Sequence, residues 1–345
     1  MSPKPSVLVA MSGGVDSSVA AALLHERGYR VLGSHMKLVH LEGVDHGCCG
    51  PIAETDAAAV AATVGFDFEV VDMNVEFERT VLADFYAEHR AGRTPNPCVR
   101  CNEHIKFRAF LDRADRLGLD HVATGHYART WRDGAGRWVL HVLGQEQLRR
   151  ALFPVGDQTK DETRAHARRL GLPVAGKADS QEVCFVPGTD HGEFLAERAP
   201  DLVREGAVVD PGGRVLGRHD GTFRFTVGQR RGLGISTGAR TYVLEVDAEA
   251  NRVVVGPGEL LARGGLAADR VSWVAGESPG TEPFEASVRL RYLGEDVPAV
   301  VEPKGADGVR VEFRAPQRGV APGQSVVFYR GDEVLGGGRI LEATR

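Results

Sequence analysis

The stretch from Pro5 to Leu24, PSVLVAMSGGVDSSVAAALL, constrains this chain more than any other. Ser6–Ala10 is short, apolar and β-branched and reads as a buried strand; Val19–Arg27 is an apolar helical run, which leaves Ser12–Ser18 as the turn between them. That turn is suited to a phosphate. Gly13 and Gly14 let the main chain approach a ligand closely, and the first N–H groups of the helix point outward at its positive end. Ser12, Ser17 and Ser18 add hydroxyl donors. No Lys lies in Met11–Ser18, which disfavours transfer of a terminal phosphoryl group, since that chemistry wants a loop ending in Lys followed by Ser or Thr.

SGGVDSS resembles instead the pyrophosphate loop of the ATP pyrophosphatases, which adenylate a carbonyl oxygen and release pyrophosphate. In such a site Asp16 is the carboxylate that helps hold Mg2+ against the leaving group.

At 345 residues the chain exceeds one ordinary core and suits two or three domains. A hydrophobic share of 42% and a charged share of 26% fit a soluble globular protein. With no apolar run of about 18 residues, and with Met1–Met11 too short and already taken up by the first strand, neither a membrane span nor a signal peptide is expected, and the expected compartment is cytoplasmic. Five cysteines, two of them in a CxxC, argue for reactive or metal-binding thiols over a disulfide framework. The net charge of −5 does not advertise a nucleic-acid partner. Charge is local, however: Arg90, Arg93, Arg100, Lys106 and Arg108 cluster, as do Arg149, Arg150, Arg164, Arg168 and Arg169, and each cluster reads either as a phosphate track or as a solvated helix face.

Up to about residue 128 strands and helices alternate: Val31–Leu38 as strand, Ile52–Val64 as helix, Phe68–Met73 as strand, Val75–Arg90 and Lys106–Leu117 as helices, His121–Tyr127 as strand. That order predicts an α/β fold, a doubly wound parallel sheet with its site at the carboxyl ends of the strands and Met36 beside a bound adenine. Cys48 and Cys49 are adjacent in a Gly-flanked loop and read as loop or packing residues. In TPNPCVRCNEHIKF the two prolines around Asn96 predict an extended path with the helix beginning only after Cys101, so that Cys98 and Cys101 stand near a helix start, where the dipole and Arg100 favour thiolates. By spacing alone this CxxC suits zinc, a redox pair or an iron–sulfur cluster, although no second ligand pair follows for zinc. Cys184 in ADSQEVCF sits between Val183 and Phe185 at what reads as a strand edge. Beyond Val186 short strands dominate, with turn signals at Asp210–Leu216 and Arg218–Gly221. The alternating runs in Leu266–Leu341, among them Ala286–Tyr292, Val309–Phe313 and Ser325–Tyr329, suit a closed β-barrel.

SGGVDSS, TPNPCVRCN, TGHYA, LFPVGDQTK and DSQEVCF, followed by FTVGQRRGLGI, VRLRY and PGQSVVFY, occur in this order and together resemble the tRNA-specific 2-thiouridylases, bacterial enzymes that thiolate the wobble uridine. The likeness runs through nearly the whole chain. It implies an ATP pyrophosphatase domain at 1–188, a small β-rich central domain at 189–262 and a C-terminal β-barrel at 263–345 that binds tRNA. By match, Ala10, Met11, Ser12, Gly13, Gly14, Val15, Asp16, Ser17, Met36 and Gly125 hold ATP; Asn96, Pro97 and Cys98 meet the target base, and His126 lies at the tRNA-facing edge. By the same match Arg291, Tyr292 and Gln324 contact the anticodon arm; Arg224, Arg230 and Arg231, in a Gly-rich loop, read by position either as phosphate contacts or as ordinary surface. In the persulfide version Cys184 accepts sulfane sulfur from a donor protein and Cys101 is the attacking or resolving nucleophile, with a Cys101–Cys184 disulfide formed in turnover; free sulfide is the other sulfur source expected as a partner. Cys98 stands where the better-known pattern has Asp, so Cys98, Cys101 and Cys184 also suit a three-thiolate iron–sulfur cluster. A Lys-Asp-Gln-Ser segment usual between TGHYA and LFPVG is missing, with Gln145, Gln147 and Arg149 as candidate substitutes. Two further readings stay open: a tRNA-binding homologue with impaired catalysis, and another adenylating pyrophosphatase. Neither DNA nor a membrane is an expected partner.

Overall fold

The computed structural model describes residues 4–39, 50–129, 143–178, 183–186, 191–236, 238–291 and 294–345. Cys48, Cys49 and Tyr292 lie outside them. The chain forms two compact units, one from residues 1–82 and 98–189, the other from residues 83–97 and 190–345.

The first unit is a parallel sheet wrapped by helices. In chain order it holds β1 (Ser6–Ala10), α1 (Val15–Glu26), β2 (Arg30–Lys37), α2 (Pro51–Val64), β3 (Asp67–Asp72) and α3 (Asn74–Phe77), which runs into a π-helical turn at Glu78–Leu82. The second unit contributes α4 (Ala83–Arg90), after which the first resumes with α5 (Pro97–Cys101), a π-helical stretch at Asn102–Ala109, α6 (Phe110–Arg116), β4 (His121–Ala123), α7 (Gln145–Arg150), β5 (Ala151–Leu152) and α8 (Lys160–Arg169). The sheet order is β3-β2-β1-β4-β5, all pairs parallel. Every residue of β1 is buried, as its run of apolar residues requires of a central strand. Val7 and Val9 pack against Val19 and the small residues Ala20–Ala22 of α1, which bring helix and sheet close together. Because the order reverses direction on either side of β1, the crevice at the carboxyl ends of β1 and β4 is the expected ligand site of such a sheet.

Three local expectations are corrected. The helix begins at Pro97 and not after Cys101, because proline at a first helical position gives up an N–H that has no partner there anyway and arrives with its φ already helical. The residues around Cys184 form a turn closed by Val186 N–H on the Val183 carbonyl at 3.1 Å, not a strand edge; Phe185 buries itself edge-on against Phe77, at 5.4 Å between ring centroids. Arg218 and His219 belong to a strand, and the preceding turn is made by Asp210, whose Oδ1 accepts from the N–H groups of Gly212 and Arg214 at 3.0 Å.

The second unit adds α9 (His191–Arg198) and a four-stranded sheet of β6 (Gly206–Val209), β7 (Val215–His219), β8 (Tyr242–Asp247) and β9 (Arg252–Gly256), in the order β7-β6-β9-β8. Val208, Val243, Val253 and Val255 fill its core with Phe225. Then β10 (Ala262–Trp273), β11 (Phe284–Arg289), β12 (Val297–Lys304), β13 (Gly308–Arg318), β14 (Ser325–Arg330) and β15 (Glu333–Thr344) close a barrel in the order β10-β13-β12-β11-β14-β15. Alternate residues such as Val309, Val311 and Phe313 point into it.

An ion-pair network ties α4 to the barrel inside this unit. Glu88, 1% exposed, accepts from Arg93 at 2.7 and 3.0 Å and from Arg339, and Arg339 also holds Asp269, with Nε at 2.8 Å from Oδ1. Arg270 sits at a bulge in β10 with φ +49 and pairs with Asp84 at 2.5 Å. The two basic clusters read from sequence are each partly spent on internal pairs: Arg93 on Glu88, Arg90 on Asp201 and Arg100 on Glu103 in the first, Arg150 on Asp115 and Arg169 on Glu26 in the second. Among the described residues, no helix is long and apolar enough to cross a membrane.

Candidate active site

The turn after β1 is shaped by two glycines. Gly13 has φ +68, and a Cβ there would lie 2.3 Å from the Ala53 carbonyl oxygen in the first turn of α2. Gly125, after β4, approaches the start of α1 so closely that a Cβ would stand 2.5 Å from Ser17 N. Between them, at the carboxyl ends of β1, β2 and β4, opens a cavity of about 190 Å3. Ala10, Met11, Ser12, Asp16, Ser17, Met36 and Gly125 come together in its lining; Leu38, Lys106, Thr124 and His126 complete the wall. Gly13, Gly14 and Val15 form the turn beneath, Gly14 as the extended residue ahead of α1.

The hydroxyls divide into two roles. Ser12 N–H donates to Ser17 Oγ at 3.2 Å, and the Ser12 and Ser17 hydroxyls lie 3.3 Å apart at the cavity wall. Ser18, expected as a phosphate donor, is fully buried and gives its hydroxyl to the Gly14 carbonyl at 2.8 Å, because the fourth helical position points it back into the core.

Two lysines distant in sequence reach this turn. Lys160 Nζ bonds both carboxylate oxygens of Asp16, at 2.7 and 2.8 Å, and the Tyr127 hydroxyl donates to Asp16 Oδ1 at 2.8 Å. Lys177 Nζ pairs with Asp56 at 2.6 Å and donates to the Gly13 carbonyl at 3.0 Å. Sequence reasoning missed both; the one available signal was that LFPVGDQTK ends on Lys160.

His126 stands between Phe107 and Phe153, with Nδ1 2.7 Å from Thr124 Oγ1. Enclosure by these rings, and secondarily the charge of Lys106, holds its pKa down to about 3, so the imidazole is neutral at ordinary pH.

Cys101 ends α5, buried, and Cys98 is exposed three residues earlier. The π-helical stretch that follows carries Lys106 into the cavity wall; its hydrogen bonds reach five residues along the chain, so Lys106 lies about one wide turn from Cys101. Cys184 is partly exposed, and its neighbour Phe185 rests on Phe77 of α3, the helix that packs against this same π-helical stretch. Asn96 is exposed and Pro97 buried. Gln147 spends its amide oxygen on the Gly144 N–H at 3.0 Å, which caps α7. Within the second unit, Arg291 and Gln324 line a cavity of about 420 Å3 with Thr226, Tyr242 and Arg318; Arg291 donates to the Arg318 carbonyl and Gln324 to the Thr94 carbonyl, each at 2.7 Å. Arg224 is paired with Asp220 at 2.9 Å.

The donor sets separate the two metals expected from sequence. Magnesium needs only one or two carboxylates once a nucleotide's phosphates supply the rest, and Asp16 beside the Ser12 and Ser17 hydroxyls fits that demand. An iron–sulfur cluster needs its thiolates gathered, and no group of three or more His, Cys, Asp or Glu residues is placed to hold a metal ion among the described residues. Cys98, Cys101 and Cys184 do not form that cradle.

Three family models match the chain in succession: a tRNA methyl transferase HUP domain over residues 5–188, a tRNA methyl transferase PRC-barrel domain over 192–257 and an aminomethyltransferase beta-barrel domain over 263–340. Among curated proteins, the tRNA-specific 2-thiouridylase MnmA of Symbiobacterium thermophilum is 46% identical over 361 residues, covering 98% of this chain and 92% of its own. The enzymes of the same name from Carboxydothermus hydrogenoformans, 45% identical with 98% of each chain covered, and Geobacter metallireducens, 47% identical with 97% and 96% covered, are equally similar. A solved 4-thiouridine synthetase–RNA complex with bound ATP shares 17% identity over 57% of this chain and 51% of its own, with a TM-score of 0.37, too slight a likeness to add to these. With three domain models matched in order and relatives of 45–47% identity along almost its whole length, the chain belongs to the tRNA-specific 2-thiouridylase family.

Proposed function

We propose that this protein is an ATP-dependent tRNA-uridine 2-sulfurtransferase acting on the wobble uridine. The observation that carries the reading is the cavity itself: the serine–glycine turn, Met36 and Gly125 line it together, and the π-helical stretch that follows Cys101 sends Lys106 into its wall.

The chemistry follows from leaving groups. Oxygen on C2 of uracil leaves poorly, whereas AMP leaves well. The uracil oxygen attacks the α-phosphorus of ATP and pyrophosphate departs. Ser12, Ser17 and the N–H groups at the start of α1 receive the phosphates, and Met36 borders the adenine. Asp16 is the residue to hold Mg2+, which when bound neutralises the departing pyrophosphate. The terminal sulfur of a persulfide on Cys184 then attacks C2 and expels AMP, leaving the base joined to Cys184 through a disulfide. The Cys101 thiolate attacks Cys184 Sγ, breaks that sulfur–sulfur bond and frees the thiocarbonyl; the resulting Cys101–Cys184 disulfide returns to two thiols by taking two electrons from an external dithiol. By the family likeness Asn96, Pro97 and Cys98 meet the target base, and neutral His126, in the wall of the cavity, lies at the tRNA-facing edge. The β-rich segment at 189–262 and the barrel at 263–345, with Arg291, Tyr292 and Gln324, take the anticodon arm.

Purified protein given unmodified tRNA, ATP, Mg2+ and a persulfide donor should form 2-thiouridine and release one pyrophosphate per base; tRNA binding without thiolation under both aerobic and anaerobic conditions would contradict the proposal. Gly125→Ala tests the cavity. The added methyl meets backbone of α1, which cannot swing aside, so ATP affinity should fall at least about tenfold or stability by about 1–3 kcal/mol, read by calorimetric titration and thermal melting. Unchanged values in both measurements would remove Gly125 from the site.

A further inference from the structure

We propose that Lys160 is a polyphosphate-contacting residue of this site, held on Asp16 until nucleotide arrives. The proposal rests on reading the cavity as an ATP site. Asp16 lines that cavity, and Lys160 clamps both of its oxygens, at 2.7 and 2.8 Å. The two side chains are 32% and 30% exposed, and an ion pair so open to water contributes little to folding, so stability is a weak reason to keep it.

The anchoring of Lys160 suits a moving charge. It is the first residue of α8, and its backbone is fixed by a reciprocal cap: Thr159 N–H donates to Glu162 Oε2 at 2.7 Å, and Glu162 N–H to Thr159 Oγ1 at 3.3 Å. The four-carbon stem beyond that fixed point is flexible, and its ammonium lies 5.8 Å from the centroid of the Tyr127 ring as well as on Asp16. Lys177 is the contrasting case, since its ammonium satisfies the Gly13 carbonyl and Asp56 together and is a structural brace of the turn.

The need for a cation is plain from the donors the turn keeps. Ser12 N–H is spent on Ser17 Oγ and the Ser18 hydroxyl on Gly14, so the turn offers a polyanion mostly neutral donors. Arriving Mg2+ and nucleotide offer Asp16 a divalent cation and Lys160 a polyanion, replacing one ion pair by two. An adenylate product without β- and γ-phosphates lets Lys160 fall back onto Asp16.

The test is calorimetric titration of the full chain with ATP in Mg2+, ATP in EDTA, and AMP. Lys160→Met should weaken ATP at least about tenfold, as loss of a charged hydrogen bond does, and leave AMP within about twofold. Lys160→Arg, which keeps the charge, should recover most of that loss. Asp16→Asn should bind ATP more tightly than wild type in EDTA, because Lys160 is no longer held, and more weakly in Mg2+. Equal weakening of ATP and AMP in Lys160→Met, or unchanged ATP binding, would overturn the proposal, as would weaker binding by Asp16→Asn in EDTA. Wild-type protein that bound no ATP would overturn the nucleotide site itself, a result distinct from any of these.

Discussion

Protein with Cys101 replaced by alanine should stop releasing 2-thiouridine and instead accumulate a covalent protein–tRNA species joined through Cys184. The order of steps requires it. In the proposed order of steps adenylation and sulfur attack do not use the Cys101 thiolate, so both should proceed in the variant, and the disulfide between base and Cys184 should then lack a resolving thiol. Electrophoresis without reductant should show the conjugate, and dithiothreitol should release thiolated tRNA from it. Cys184→Ala should give neither conjugate nor product. In each variant multiple-turnover thiolation should fall by about 10³-fold or more, the usual consequence of deleting a covalent participant, while ATP affinity stays within about twofold. Thiolation retained by Cys184→Ala would remove the persulfide from that residue, and product without conjugate in Cys101→Ala would remove the resolving step. Cys101 ends α5, whose π-helical continuation reaches the cavity, and Phe185, beside Cys184, packs on Phe77 of the helix lying against that continuation.

The second large effect concerns stability. Glu88→Ala should cost about 3–5 kcal/mol, the penalty for removing one partner from a buried ion pair. Glu88 is 1% exposed and serves Arg93 and Arg339 at once, and the Arg339 side chain is itself only 12% exposed. Without that carboxylate Arg93 and Arg339 lose their shared partner inside the second unit, as does Arg270, whose Nη2 lies 3.7 Å from it, and Asp269 and Asp84 are left to balance the guanidinium groups. Urea unfolding followed by barrel tryptophan fluorescence, through Trp273, reads the loss. Glu88→Ala combined with Arg93→Met should be less destabilised than the sum of the two single changes, since the second removes a charge the first has stranded. A cost under about 1 kcal/mol would show the network to be ornamental.

What the residues disclose in advance and what they conceal have physical reasons. The central strand, the glycine turn and α1 are legible because each is specified by neighbours in sequence: apolar continuity, glycine freedom and helical spacing. Barrel strands are legible for the same reason, as alternation in Val309–Phe313 shows. The charges around Asp16 and Gly13 are not legible, because Lys160 and Lys177 stand 144 and 164 positions away, and only the folded sheet brings α8 and the segment after it to the turn. Proline at 97 misleads locally: the same ring that forbids a helix interior favours a helix start, and only the residues after it decide between the two. Val183 and Phe185 suggest a strand by type, yet the demand to bury Phe185 against Phe77 is met by a turn. Ser18 shows the converse, a polar residue in a ligand-binding motif that serves the helix and not the ligand.

The closed barrel also sets a timetable. Strand β15 lies between β14 and β10, the latter some sixty residues earlier in synthesis, so until β15 has emerged from the ribosome both neighbours expose unpaired hydrogen-bonding edges. A stalled or prematurely terminated message that loses this last strand yields a nascent chain with sticky borders, and clearance by chaperones and proteases becomes its fate.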